Sequence, residues 1–291
     1  MKLRSVELEM PHAGAAVEFL TDTWGLIDAG RTAKTSYLRG TGDHPYVMAV
    51  SEAASPAVLS VTFSGTKQEV QRISLRAARA EIPVEKYAAE PGEPGAPSGI
   101  RLTGPEGQRF RFVTDRKLAA KIVDPSKPIS LTHVPINARD ADACTEFAQK
   151  VLGFKVSDRT RLMDFIRCDS VHHALAFVRT GVSAVHHMAF EVKDLDAVMR
   201  NVGRLRDLGF EPAWGPGRHG PGNNVFAYYV APFGAVLEYT SEVERVNNRY
   251  KVGGPDDWKW PPGRVDHWGL SKRDDTNLHA AERKFGFKSL A

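Results

Sequence analysis

The chain repeats itself, and a repeat restricts its folds more than any single motif. Residues 3–26, LRSVELEMPHAGAAVEFLTDTWGL, read as strand, loop and helix, ending at Gly25. Residues 129–154, ISLTHVPINARDADACTEFAQKVLGF, read the same way and end at Gly153. Each carries Glu-Phe seven residues before its glycine, at Glu18-Phe19 and Glu146-Phe147. A glycine just past a helix supplies a left-handed cap. The second halves also match. Residues 59–85 and 186–212 each read as a strand followed by a helix. In the latter, Val192, Leu195, Val198, Met199, Val202 and Leu205 make an apolar stripe. Residues 104–115 and 231–242 each run from a Pro-x-Gly turn into a strand.

The pattern predicts an α+β fold of two tandem modules, each a pair of βαβββ units, followed by a C-terminal arm. The expected boundaries are 1–117 for the first module, 128–246 for the second and 247–291 for the arm, with a linker around Asp115–Ile129. The 291 residues suit two domains of ordinary size. Residues 89–99, AEPGEPGAPSG, form a loop inside the first module. The arm's Pro261-Pro262 pair and its Trp258, Trp260 and Trp268 suggest ordered packing rather than disorder.

Charge excludes several partners. Lys and Arg number 39 against 35 Asp and Glu, a net charge of +4 without basic runs. Neither nucleic acid nor a membrane surface is expected as a partner. No apolar stretch approaches the ~20 residues of a membrane span, and the start lacks the apolar core of a secretory signal. Cys144 and Cys168 offer neither a disulfide framework nor zinc spacing. A soluble cytoplasmic protein is expected.

Six of the ten histidines fall in the second module: His133, His172, His173, His186, His187 and His219. His133, His187 and Glu238 each interrupt an otherwise apolar strand. Unpaired burial of such groups costs several kcal/mol, about 2–7 for a polar group and more for a charge. Two imidazoles and one carboxylate facing one cavity are the facial triad that suits Fe(II), leaving three coordination positions open. Aligning the repeats sets Ser5 opposite His133, Ser60 opposite His187 and Arg111 opposite Glu238. Two serines and an arginine hold no metal. The first module therefore reads as a scaffold and the second as the working copy. His186 reads as structural, turned from the metal by strand alternation. Cys144 is expected to face the core, Cys168 to lie close to the site, and Asp140 to cap a helix.

The segments LTHVPIN, CDSVHHALAF, VHHMAFEV, GPGRHGPGNN and YYVAPFGAVLEYT, in that order, resemble the vicinal oxygen chelate superfamily. With the repeat, the whole chain resembles the two-module type I extradiol (ring-cleaving) catechol dioxygenases. That resemblance implies a cytoplasmic homo-oligomeric enzyme of aromatic-compound degradation, using Fe(II), or Mn(II), to cleave a di- or trihydroxylated ring with dioxygen. It makes His133, His187 and Glu238 the metal ligands. His173 becomes the residue that assists dioxygen activation and proton transfer, with His172 the alternative. His219 and Tyr228 become catalytic and substrate-binding groups, with Tyr229 the alternative to Tyr228. Trp214 stands where members acting on acidic catechols can carry arginine, so a neutral ring substituent is expected. Arg218 nearby remains a candidate substrate contact able to serve an anion. The arm could fold over the mouth of the site and exclude water. Two other functions share the fold: a metal-dependent lyase or isomerase, and a non-catalytic protein that binds a small aromatic molecule.

Overall fold

The computed structural model describes residues 1–288; residues 289–291, the end of the expected arm, lie outside the described residues. The first module opens with β1 (Lys2–Met10), α1 (Ala13–Glu18), β2 (Ile27–Arg31), β3 (Thr35–Arg39) and β4 (Met48–Glu52). A second unit follows as β5 (Ala57–Ser64), α2 (Lys67–Arg79), β6 (Glu85–Ala88), β7 (Ser98–Thr103) and β8 (Arg109–Thr114). Strand β1 lies parallel to β4 and antiparallel to β5, and β5 lies parallel to β8. The strand order is therefore β2-β3-β4-β1-β5-β8-β7-β6.

The second module repeats this arrangement. Its first unit is β9 (Ser130–Ala138), α3 (Ala141–Phe147), β10 (Lys155–Arg159), β11 (Met163–Arg167) and β12 (Leu175–Arg179). After a short β13 (Ala184–Val185), its second unit is β14 (Met188–Glu191), α4 (Leu195–Asp207), β15 (Trp214–Arg218), β16 (Val225–Val230) and β17 (Val236–Ser241). The strand order is β10-β11-β12-β9-β14-β17-β16-β15.

Local chemistry sets the helix limits. Thr66 and Glu69 form a reciprocal capping box at the start of α2, and Asp194 caps α4 through the Ala197 amide. Asp140 likewise accepts from the Ala143 amide. On α4 the buried face is Ala197, Val198, Asn201, Val202 and Leu205. Met199, placed in the apolar stripe by sequence, is 43% exposed. It follows Val198 by one residue, about 100° around the helix, which carries it off the buried face.

Both first-unit helices pass into a π-helical turn, Phe19–Thr23 in the first module and Ala148–Leu152 in the second. The modules clasp each other at these ends. Arg204 of α4 donates to the Thr23 carbonyl at 2.6 Å, and Arg76 of α2 donates to the Leu152 carbonyl at 3.4 Å. Each guanidinium thus satisfies a carbonyl that the end of a helix leaves bare. Trp24 stacks flat on Tyr239 across the same boundary, with ring centroids 3.8 Å apart.

The arm carries α5 (Asp275–Ala281) and β18 (Gly286–Phe287). Leu278 and Ala281 pack with Phe226, Tyr228 and Val236. Strand β18 pairs with β13 of the second module and β5 of the first, joining the two. Among the described residues no helix is long and apolar enough to cross a membrane.

Candidate metal centre

Strand register brings three polar groups into one row of the second module. His133 of β9 lies opposite Ala189 of β14, and Ala189 lies opposite Glu238 of β17. His187, two residues before Ala189 and just ahead of β14, faces the same side, as the period of two requires. Glu238 Oε2 is 3.1 Å from His133 Nε2 and 3.1 Å from His187 Nε2. One donor atom from each residue falls within 4.8 Å of the others, and all three residues are buried.

The electrostatics fit a cation. Burial alone would push the Glu238 carboxyl up, yet His133 and His187 hold it well below the usual carboxylate range. Burial pushes the His187 imidazole down, against the pull of Glu238. An ionised carboxylate and two imidazole nitrogens converging in a buried space are a donor set for a divalent first-row metal. Among the described residues His133 Nδ1 has no hydrogen-bond partner, so Glu238 at Nε2 is the ring's hydrogen-bonding contact. Asn224 donates to the other Glu238 oxygen at 3.2 Å and to Thr240 Oγ1 at 2.8 Å, fixing the carboxylate plane.

His173 lies beside this group, its ring centroid 4.3 Å from that of His133. Behind it runs a buried chain. His173 Nδ1 meets His172 Nδ1 at 3.1 Å, and His172 Nε2 meets Asp158 Oδ2 at 2.7 Å. Asp158 is held in turn by the Tyr250 hydroxyl and the Gly253 amide, both from the arm. With Asp158 accepting from His172 Nε2, one tautomer satisfies every link and leaves His173 Nε2 unprotonated. Gly222, at φ +77°, closes over this pair. A Cβ there would sit 3.2 Å from both His172 and His173, and its backbone angle also favours glycine.

On the opposite flank, His219 Nε2 is 3.0 Å from the Tyr228 hydroxyl, which is 3.4 Å from His187 Nε2. Burial pushes His219 down to about 4 and Tyr228 well above the ordinary phenol value. Trp214 stacks on Tyr228 at 5.2 Å and meets His219 edge to face at 5.3 Å.

Two expected neighbours are elsewhere. Arg218 pairs with Glu242 at 2.6 Å, donates to the Asn223 carbonyl and lies over the Trp268 ring. Strand alternation sends it to the face opposite its neighbour His219. Cys168 lines a groove with Leu3 and Thr132 at the module junction; Thr132 and His133 point to opposite faces of β9. Tyr229 likewise faces Trp24 rather than the site. Sequence reasoning missed Asn224, Asp158 and Glu282. The first adjoins the Gly-rich segment and could have been suspected from it, whereas Asp158 comes from a neighbouring strand and Glu282 from the arm, with no local pattern to mark either.

The profile of the Glyoxalase/Bleomycin resistance protein/Dioxygenase superfamily matches residues 130–239. Metapyrocatechase 2 of Cupriavidus necator is 30% identical over 174 residues, covering 58% of this chain and 50% of that protein. The chain thus spans half the length of that relative. The 2,2',3-trihydroxybiphenyl dioxygenase of Sphingomonas paucimobilis is 24% identical over 224 residues, covering 73% of this chain and 70% of that protein. Among solved structures, a Mn(II)-bound glyoxalase from Novosphingobium aromaticivorans superposes with a TM-score of 0.86 at 30% identity, covering 95% of this chain and 93% of that one.

Proposed function

The chain belongs to the Glyoxalase/Bleomycin resistance protein/Dioxygenase superfamily, and from that membership we propose that it is an extradiol dioxygenase that opens a catecholic ring with dioxygen. The observation that carries this reading is the convergence of His133, His187 and Glu238 with His173, His219 and Tyr228 around them. Two relatives named for aromatic-ring dioxygenation support it.

His133, His187 and Glu238 would hold the metal, Fe(II) or Mn(II). A bound ion would supply Lewis acidity toward the ring hydroxyls and a redox route to dioxygen. The protein's own residues orient the substrate and move protons. His173, with Nδ1 committed to His172, takes a proton at Nε2 from a ring hydroxyl and returns it to reduced oxygen. The Tyr228 hydroxyl, kept neutral by burial, donates toward a substrate oxygen, and His219 holds that hydroxyl in place. Trp214 offers an aromatic face and no charge, which favours a neutral ring substituent. Arm residues Trp258 and Trp260 lie against Gly220 in the Gly-rich segment, where they limit water near the reacting atoms.

The test is oxygen uptake by Fe(II)-reconstituted protein with a panel running from catechol and 4-methylcatechol to 2,3-dihydroxybiphenyl, a trihydroxytoluene and an acidic homologue. Stoichiometric uptake with a yellow ring-opened product is expected, with the acidic homologue the poorest substrate. Absence of uptake with metal bound would overturn the reading. A metal-dependent lyase or isomerase is the second reading, favoured by the likeness to the Mn(II)-bound glyoxalase over nearly the full chain.

A further inference from the structure

His187 is supported from behind by a second chain of the kind that ends on His173. Its Nδ1 meets His186 Nδ1 at 2.8 Å, and His186 Nε2 lies 3.3 Å from Glu282 Oε1. Glu282 belongs to the arm, directly after α5. It is buried, pairs with Arg273 at 2.6 Å, and its backbone carbonyl accepts from Asn137 of β9 at 2.7 Å. One tautomer completes the chain. A His187 that coordinates through Nε2 carries its proton on Nδ1 and donates to His186 Nδ1. His186 then carries its proton on Nε2, the atom that faces the Glu282 carboxylate at 3.3 Å. An ionised carboxylate cannot donate, so the arm's Glu282 favours this direction and with it the ring state of His187 that binds a metal. Among the described residues His133 has no such support, since its Nδ1 is unpartnered there.

We propose that the C-terminal arm sets the metal affinity of the centre: Glu282, acting through His186, is a positioning residue for His187. The inference rests on the reading of His133, His187 and Glu238 as metal ligands. Groups that orient a metal-bound histidine commonly change affinity by about 10–100-fold when removed. By linkage, a metal that binds better with the arm docked must also hold the arm in place.

The experiment is titration of the metal-free full chain with Mn(II) alone, with free Mn(II) read by its electron paramagnetic resonance signal. Four variants are compared with the parent: His187→Ala, His186→Phe, Glu282→Gln and, as a control at the far end of the arm, Lys288→Ala, which loses only the exposed pair with Glu9. The expected result is loss of the site in His187→Ala, Mn(II) binding weakened by ~10–100-fold in His186→Phe and Glu282→Gln, and parental binding in Lys288→Ala. Glu282→Gln is nearly isosteric, so it tests the chain if His186→Phe folds poorly. Hydrogen exchange at residues 275–285 is expected to slow when Mn(II) binds the parent and to slow less in Glu282→Gln. A purely structural role would lower the unfolding midpoint of the metal-free chain and leave Mn(II) affinity unchanged. Parental affinity in both His186→Phe and Glu282→Gln overturns this inference alone. Parental affinity in His187→Ala, or no binding by the parent, overturns the ligand assignment and this inference with it.

Discussion

The two modules place different chemistry on the same backbone row. In the second, the row is His133, Ala189 and Glu238. In the first it is Ser5, Thr62 and Arg111, with the same strand pairings. Two residues back from Thr62, Ser60 matches His187. The first module adds its own buried carboxylate, Glu7, which accepts from Ser5 at 2.5 Å, Ser60 at 2.6 Å and Thr62 at 2.7 Å and pairs with Arg111. Arg111 also donates to Tyr87, Tyr46 and Thr62. Burial opposes its charge, but Glu7, Tyr46, Tyr87 and Glu93 together more than restore it. Both modules therefore bury a carboxylate at the centre of their sheet, and the first adds Glu93 beside the same guanidinium. The first neutralises it with a guanidinium from its own chain. The second surrounds it with imidazoles that offer lone pairs, a donor set suited to a metal cation. A cavity of about 370 Å³ lined by Glu7, Tyr46 and Arg111 remains in the first module. Its polar groups are satisfied by one another, so room alone does not mark the reacting centre.

Substitutions can break this contrast. Replacing His187 or Glu238 by alanine should reduce bound metal to background and abolish oxygen uptake, measured by elemental analysis and an oxygen electrode. His173→Phe should keep its metal and slow turnover by ~10²–10⁴-fold; parental turnover would remove His173 from the chemistry. In the first module, Arg111→Met strands Glu7 without its partner. It should cost about 3–5 kcal/mol of stability in urea denaturation, with metal content unchanged in the fraction that folds. A matching loss of metal would show that the scaffold and the centre are not separable.

The smallest expected effect concerns pH. His219 titrates near 4 when folded, below its ordinary 6.5. The unfolded chain therefore takes up the proton first. Stability present above the ordinary value is lost as pH falls from about 6.5 towards about 4. His219→Gln should flatten that slope by up to ~1.4 kcal/mol per pH unit, read from denaturation midpoints between pH 7 and 5.

Legibility followed what each segment's own pattern displays. The repeat was readable because strand and helix periods, Glu-Phe pairs and glycine caps all recur locally. His133, His187 and Glu238 stood out because polar groups in apolar strands demand partners, and the strand register brings them together. The supporting groups were not readable. Asp158 sits two strands from His172, and Glu282 lies almost a hundred residues beyond His186. Nothing in either segment's own pattern indicates where the carboxylate goes. Arg218 misled because a basic residue beside a Gly-rich segment suggests an anion, whereas strand alternation commits it to Glu242.

The clasp between the modules has a consequence for how such a chain can be divided. Arg76 and Arg204 occupy the same position in α2 and α4, and the carbonyls they reach close the same π-helical turn in each module. The contact is isologous in all but sequence: each half offers what the other half lacks. A single module carrying both features could make the same contact by pairing head to head with a second copy. Fusion of two copies makes that pairing intramolecular, and the symmetry no longer has to extend to the centre of each sheet. One half is then free to fill its centre with a salt bridge while the other keeps two imidazoles beside its carboxylate.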